Sequence, residues 1–255
     1  MVSADGQRHY RIELSIPRAS PSNNGYPVLY MLDGNSAMAT LTARDFASIA
    51  GDNAPVLVAI GYDIDGRLDV DARSYDYTPP VMDNGKPVTA PTVGARVGGG
   101  ADIFLDLLTT QIKPLVQARA NIDLTRESLW GHSYGGLFVV HTLLTQPDTF
   151  DRYIMGDPSA WWHDGAVMQA WEAFDKQLAV NKQVAILVGT RMRASRQAAA
   201  RGSHRGEYLR SASKQIADGL HGAGADVSYE EFSEYGHGQM SLVSLQRALR
   251  IATAP

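Results

Sequence analysis

Residues Gly131-His132-Ser133-Tyr134-Gly135-Gly136 lie between one apolar run, Ser128-Leu129-Trp130, and another, Leu137-Phe138-Val139-Val140. The first run reads as a strand and the second as a helix. A Gly-x-Ser-x-Gly between them demands a turn so tight that bulky side chains at the glycines are expected to clash. The turn holds the Ser133 hydroxyl clear of the strand, at a helix N-terminus where backbone N–H groups favour negative charge. A serine hydroxyl is a weak nucleophile until a neighbouring base takes its proton. The implied chemistry is attack of Ser133 on an electrophilic carbonyl, and the chain must also supply the base.

Gly-x-Ser-x-Gly in a strand–turn–helix context is the nucleophile elbow of the α/β-hydrolase fold, whose partners follow in the order Ser, acid, His. His237, in Tyr235-Gly236-His237-Gly238, comes after the last strand pattern, and its glycines let the loop fold back towards the elbow. A candidate acid is Asp157, in Gly156-Asp157-Pro158-Ser159, although an Asp before a proline also suits a plain turn, and Glu207, further away, is a lesser candidate. An oxyanion hole needs two backbone N–H donors. Tyr134, after the nucleophile, is expected to give one, and Asn35, with Gly34 close behind, the other, from the turn Asp33-Gly34-Asn35. His132 is expected to pack beneath the elbow, His141 to be hydrogen-bonded in the core, and His163 is a candidate lining residue. No His, Asp or Glu set has convincing metal-ligand spacing. The expected reaction needs neither metal nor cofactor.

These residues require a parallel sheet to hold them. Tyr26–Leu32 and Pro55–Ile60 are continuous apolar runs, as in central strands covered on both faces. Residues 9–16 alternate and end at Pro17, which suits an exposed early strand. Arg152–Gly156, Val184–Gly189 and Asp226–Phe232 read as further strands. Helical spacing marks 36–50, 103–116, 137–145, 207–221 and 239–252, with Pro114 expected to kink the second of these. Segment 61–100 is rich in Gly, Pro and Asp and shows little periodicity. The alternation predicts a mostly parallel central sheet with helices on both faces, as a single α/β domain over 1–255.

Composition narrows the rest. The chain has 255 residues, no cysteine and a net charge of −4. Disulfides and thiolate zinc sites are excluded, and nothing favours nucleic acid. No window approaches the ~18 apolar residues of a membrane helix, so no membrane span is expected. The start shows no signal peptide and reads as a natural or a trimmed N-terminus. Periplasm and cytoplasm both fit.

Leu32-Asp33-Gly34-Asn35, Arg73-Ser-Tyr-Asp-Tyr-Thr-Pro79, Gly98-Gly99-Gly100-Ala-Asp102, Leu129 to Gly136, Pro158-Ser159 and Gly236-His237-Gly238 occur in this order. Together they resemble the esterase D-type branch of α/β-hydrolases, and most of all its small siderophore esterases, which open the trilactone of enterobactin and salmochelin. The resemblance runs from about residue 9 to residue 250. It implies a serine esterase with Ser133 as nucleophile, His237 as base and oxyanion amides near Gly34 and Tyr134. It also implies a small anionic catecholate ester as substrate. General acyl ester or thioester hydrolysis, and a ligand-binding relative without catalysis, are the alternatives. By the same analogy Arg73 touches an anionic substrate, with a buried pair between Arg73 and Asp76 as the other reading.

One departure stands out. The triad acid usually follows the strand ending at Gly189, but residues 190–205 hold five arginines, one histidine and no carboxylate. The resemblance allows for this, because trilactone esterases of this type can work with a Ser–His dyad. The arginines, Arg191 and Arg193 among them, suit either a solvated loop or a basic rim that draws anions and stacks on catechol rings. Trp161 could add an apolar wall, with core packing as its default.

Overall fold

The computed structural model describes residues 1–83, 86–191 and 205–254. Tyr10–Ser15 (β1) is an edge strand, paired antiparallel with Val56–Tyr62 (β3). Tyr26–Met31 (β2) runs parallel to β3 on one side and to Ile122–His132 (β4) on the other. Arg152–Gly156 (β5), Gln183–Gly189 (β6) and Asp226–Phe232 (β7) continue in parallel. The seven-stranded order is β1-β3-β2-β4-β5-β6-β7.

The apolar runs are buried on both faces. All of β3 is buried, and along β2 the residues Val28 and Tyr30 enter one core while Leu29 and Met31 enter the other. The second core is closed by Gly34–Thr40 (α1), Ala43–Ser48 (α2) and the C-terminal Met240–Thr253, through Ala37, Leu245 and Leu249. The first core is closed by Val70–Tyr77 (α3), Ala101–Leu107 (α4), Lys113–Gln117 (α5), Tyr134–Thr145 (α6), Ala166–Ala173 (α7) and Arg205–Gly222 (α8). Met240–Thr253 is α9. The fold is an α/β-hydrolase sheet with helices on both faces. No helix among the described residues is long and apolar enough to cross a membrane.

Three local expectations gain detail. The helical pattern over 36–50 splits at Thr42, whose side chain accepts the Asp45 N–H while the Asp45 carboxylate accepts the Thr42 N–H. This reciprocal cap starts a new helix. Where a kink is expected at Pro114, a π turn at Leu108–Ile112 precedes it and leaves Pro114 in the first turn of α5. A first-turn amide lacks an intrahelical partner, so proline costs little there. Segment 61–100 holds α3, capped by the Asp69 side chain, and two short hairpins, Met82–Asp83 with Lys86–Pro87 and Thr92–Val93 with Arg96–Val97.

Candidate active site

The end of β4 turns into α6 at Ser133, which has φ 61° and ψ −116°. Close approach makes the turn: a Cβ on Gly131 would stand 2.3 Å from the Gly135 carbonyl, so residue 131 must be glycine. Gly135 itself has ordinary room, the nearest atom to a Cβ being 3.5 Å away. The expected clash therefore holds for the first glycine and not for the second. The Ser133 N–H donates to Gly156 O at 2.9 Å, which ties the turn to the end of β5.

Asp157 follows β5 directly. Its N–H donates to Leu187 O of β6 at 2.7 Å, its φ is 45°, and its side chain is buried. His237 lies in the loop from β7 to α9, where Arg191 N–H donates to Tyr235 O at 3.0 Å and Gly236 N–H donates to the Gln239 side chain at 3.1 Å. These three loops bring distant residues together. His237 Nδ1 is 2.6 Å from Asp157 Oδ2, and His237 Nε2 is 3.0 Å from Ser133 Oγ. A carboxylate only accepts, so Nδ1 carries the proton and Nε2 faces Ser133 with its lone pair. The arrangement can accept the serine proton and hold the resulting imidazolium.

His132 does not pack beneath the elbow. Its ring lies 4.8 Å from the His237 ring, and its Nε2–H donates to His237 O at 2.8 Å. Burial, and then the nearby His237, push its pKa down to about 4, so His132 is neutral near pH 7. His132, Asp157 and His237 form the cluster of described residues able to hold a cation, with donor atoms within 4.8 Å of one another. In the hydrogen-bonded arrangement His132 Nε2 and His237 Nδ1 carry protons and offer no lone pair.

Gly34 and Asn35 open α1, and Tyr134 opens α6. First-turn amides point out of a helix without an intrahelical carbonyl. Gly34 also sits tight on β3, where a Cβ would meet the Ala59 and Ile60 backbone at 2.7 Å. The Asn35 side chain is spent on structure: it accepts the Tyr62 N–H at 2.9 Å and donates to Tyr62 O at 3.0 Å. Asp33, with φ 51°, sets the turn before them.

Arg73 lines the cavity but does not pair with Asp76. It grips Asp33 through two bonds, Nε to Oδ1 at 2.8 Å and Nη2 to Oδ2 at 2.7 Å, and Nη2 reaches His132 O at 3.5 Å. Burial works against its charge, but Asp33 prevails and its pKa rises. Asp76 points the other way, to Arg8 at 2.9 Å and the Tyr10 and Tyr62 hydroxyls at 2.9 and 3.0 Å. Helical neighbours three apart thus serve different clusters.

A cavity of about 660 Å³ opens beside Ser133 and His237, between α1, the start of α9, and Arg67 and Leu68. Trp161, Arg191 and His163 are not among its lining residues. Trp161 is half-buried against Tyr134, with ring centroids 6.0 Å apart. Arg191 is exposed and reaches Glu234 O at 3.3 Å, which holds it against the His237 loop. Arg193 lies outside the described residues. His141 bonds Asp102 at 2.7 Å, a buried histidine with a satisfied ring. Arg67, which lines the cavity, and the Asp33–Arg73 grip have no spacing signal in the sequence.

A mostly parallel sheet that presents a serine on such a turn, with an imidazole at its hydroxyl, defines an α/β-hydrolase. Residues 3–233 match the esterase family, described as "Putative esterase", and the chain belongs to that family. It is 34% identical over 250 residues to the apo-salmochelin esterase of Escherichia coli O6:H1, covering 97% of this chain and 76% of that protein. It is 31% identical over 262 residues to the ferri-bacillibactin esterase BesA of Bacillus subtilis, covering 100% of this chain and 88% of that one. Among solved structures, the enterobactin hydrolase IroE in complex with DFP matches with a TM-score of 0.79 at 31% identity, covering 100% of this chain and 93% of that chain. The protein is a hydrolase of carboxylic ester bonds.

Proposed function

We propose that the protein is a serine esterase that hydrolyses the backbone esters of a catecholate trilactone siderophore through a Ser133–His237–Asp157 triad. The observation that carries the mechanism is the unbroken chain of contacts, 3.0 Å from Ser133 Oγ to His237 Nε2 and 2.6 Å from His237 Nδ1 to Asp157. Ser133 Oγ attacks the ester carbonyl while its proton passes to His237 Nε2. The carbonyl π electrons move onto oxygen, where the Tyr134 amide and that of Asn35 or Gly34 receive the charge. His237 then protonates the departing alkoxide, leaving an acyl-enzyme. Water attacks that ester with His237 again as base, and Ser133 leaves with the proton returned. Buried Asp157 holds the imidazole in the required tautomer and stabilises its charge.

The siderophore reading is supported by relatives whose names specify salmochelin and bacillibactin, and by a cavity large enough for a catecholate arm beside the nucleophile. Arg191, exposed and bonded to Glu234 O of the His237 loop, offers a positive charge to such an anion. Arg73, its charge matched by Asp33, acts on the two oxyanion loops rather than on the substrate. The test is a hydrolysis panel of a catecholate trilactone, its linear fragments, a neutral aryl ester and an acyl thioester, with Ser133→Ala as control. The trilactone should show the highest kcat/KM, and the control should show none. A thioester preferred over every oxygen ester would overturn the substrate reading.

A further inference from the structure

Ser159 carries a hydroxyl that none of the steps above uses. It lies in the same turn as Asp157, is 1% exposed, and places Oγ 3.2 Å from Ser133 Oγ. Its backbone N–H donates to Ser133 O at 3.0 Å, so the two residues are fixed to each other twice. Counting protons sets the direction of the side-chain contact. Ser133 has one hydroxyl proton, and before attack that proton points to His237 Nε2. The contact with Ser159 is then made only if Ser159 O–H is the donor.

We propose that Ser159 is a further catalytic residue: its hydroxyl donates to Ser133 Oγ and stabilises the charge that gathers on that oxygen. This rests on Ser133 being the nucleophile. In acylation the Ser133 O–H bond breaks, its proton goes to His237, and an Oγ electron pair forms the bond to the carbonyl carbon. In deacylation the C–Oγ bond breaks, its electrons return to Oγ, and His237 gives the proton back. The Ser159 O–H bond stays intact through both steps. Its donor counts most where Oγ has alkoxide character, at the entry to acylation and the exit from deacylation. The oxyanion amides serve the other oxygen, so the two effects are separate.

The experiment is the second-order rate of phosphonylation of Ser133 by a fluorophosphonate, in wild type, Ser159→Ala and Ser159→Gly, across pH. Both variants keep the backbone bond to Ser133; the alanine lacks the hydroxyl alone, and the glycine lacks the hydroxyl and its carbon. Loss of one such hydrogen bond should slow labelling roughly tenfold. The pH midpoint should not move, because Ser159 does not touch His237, and the melting temperature of the alanine variant should stay near that of wild type. Unchanged labelling overturns the proposal. Slowed labelling with a displaced pH midpoint also overturns it, since that reports a disturbed Asp157–His237 pair. If the alanine variant does not fold, the glycine variant decides on the same readouts. If wild type is not labelled at Ser133, the nucleophile assignment itself fails and Ser159 falls with it.

Discussion

Asp33, Ser133 and Asp157 have φ of 51°, 61° and 45°, a backbone region that L side chains rarely occupy. Each such residue stores on the order of 1–3 kcal/mol of strain, tolerated only where surrounding contacts over-determine the position. Those contacts are visible: Arg73 grips Asp33, Gly156 O holds the Ser133 N–H, and Leu187 O with His237 holds Asp157. Asp157 should therefore trade stability for activity. Asp157→Gly should raise unfolding stability by about 1 kcal/mol through relief of strain, as read by denaturant melts, while abolishing esterase turnover. Asp157→Asn keeps the shape but not the charge, and kcat should fall by up to about 10⁴-fold. Unchanged kcat in Asp157→Asn would reduce the site to a Ser–His dyad. Ser133 and His237 were legible from type and spacing alone. Asp157 was legible as a candidate only, because an Asp before Pro158 carries the same local signal whether it serves a turn or an imidazole.

At the scale of elements, the Arg73–Asp33 pair joins α3 to the turn that starts α1, and its reach to His132 O ties in the elbow. Both loops with candidate oxyanion amides thus hang on one guanidinium. Arg73→Met leaves Asp33 buried without its cation, which should cost about 3–5 kcal/mol of unfolding free energy. Turnover should fall with KM little changed, because transition-state contacts are lost rather than substrate contacts. Steady-state kinetics on a neutral aryl ester read this, and a rise in KM alone would return Arg73 to substrate binding. The pairing was not readable in advance. Asp76 is three residues from Arg73 on a helix, the ordinary distance for a pair, whereas Asp33 is forty residues away in sequence. Burial decides: Asp76 faces Arg8 and two tyrosines, and only the assembled sheet brings Asp33 to Arg73. Strands β2 and β3 were legible for the opposite reason, since a doubly covered parallel strand is apolar along its whole length. Helix 36–50 was misread because the Thr42 cap interrupts an apolar spacing that runs on through it.

For the whole molecule, charge and pH supply the tests. Burial pushes Asp76 up to about 6, against the pull of Arg8, Tyr10 and Tyr62. The folded chain therefore binds a proton that the unfolded chain releases near pH 4. The stability this residue contributes is complete below that value and is lost as pH rises through about 6. Relative to Asp76→Asn, wild type should lose about 3 kcal/mol of unfolding free energy between pH 4 and 7. Urea melts of both across this window check it, and parallel curves would contradict it. The chain carries a net charge of −4, so the exposed Arg191 beside the His237 loop stands against the overall charge. Arg191→Ser should raise KM for an anionic catecholate ester severalfold at low salt and leave a neutral ester unchanged, with the difference fading as salt screens it. The acid-free run 190–205 suggested that asymmetry in the sequence, and the contact of Arg191 with Glu234 O brings one of its arginines to the His237 loop.

The proposed mechanism requires Ser133 to be a nucleophile activated by His237. Exposure to a fluorophosphonate, followed by peptide mass mapping, tests it most directly. Wild type should carry a single adduct on Ser133, formed far more slowly in His237→Ala. An unmodified protein, or an adduct formed at the same rate without the imidazole, would contradict it.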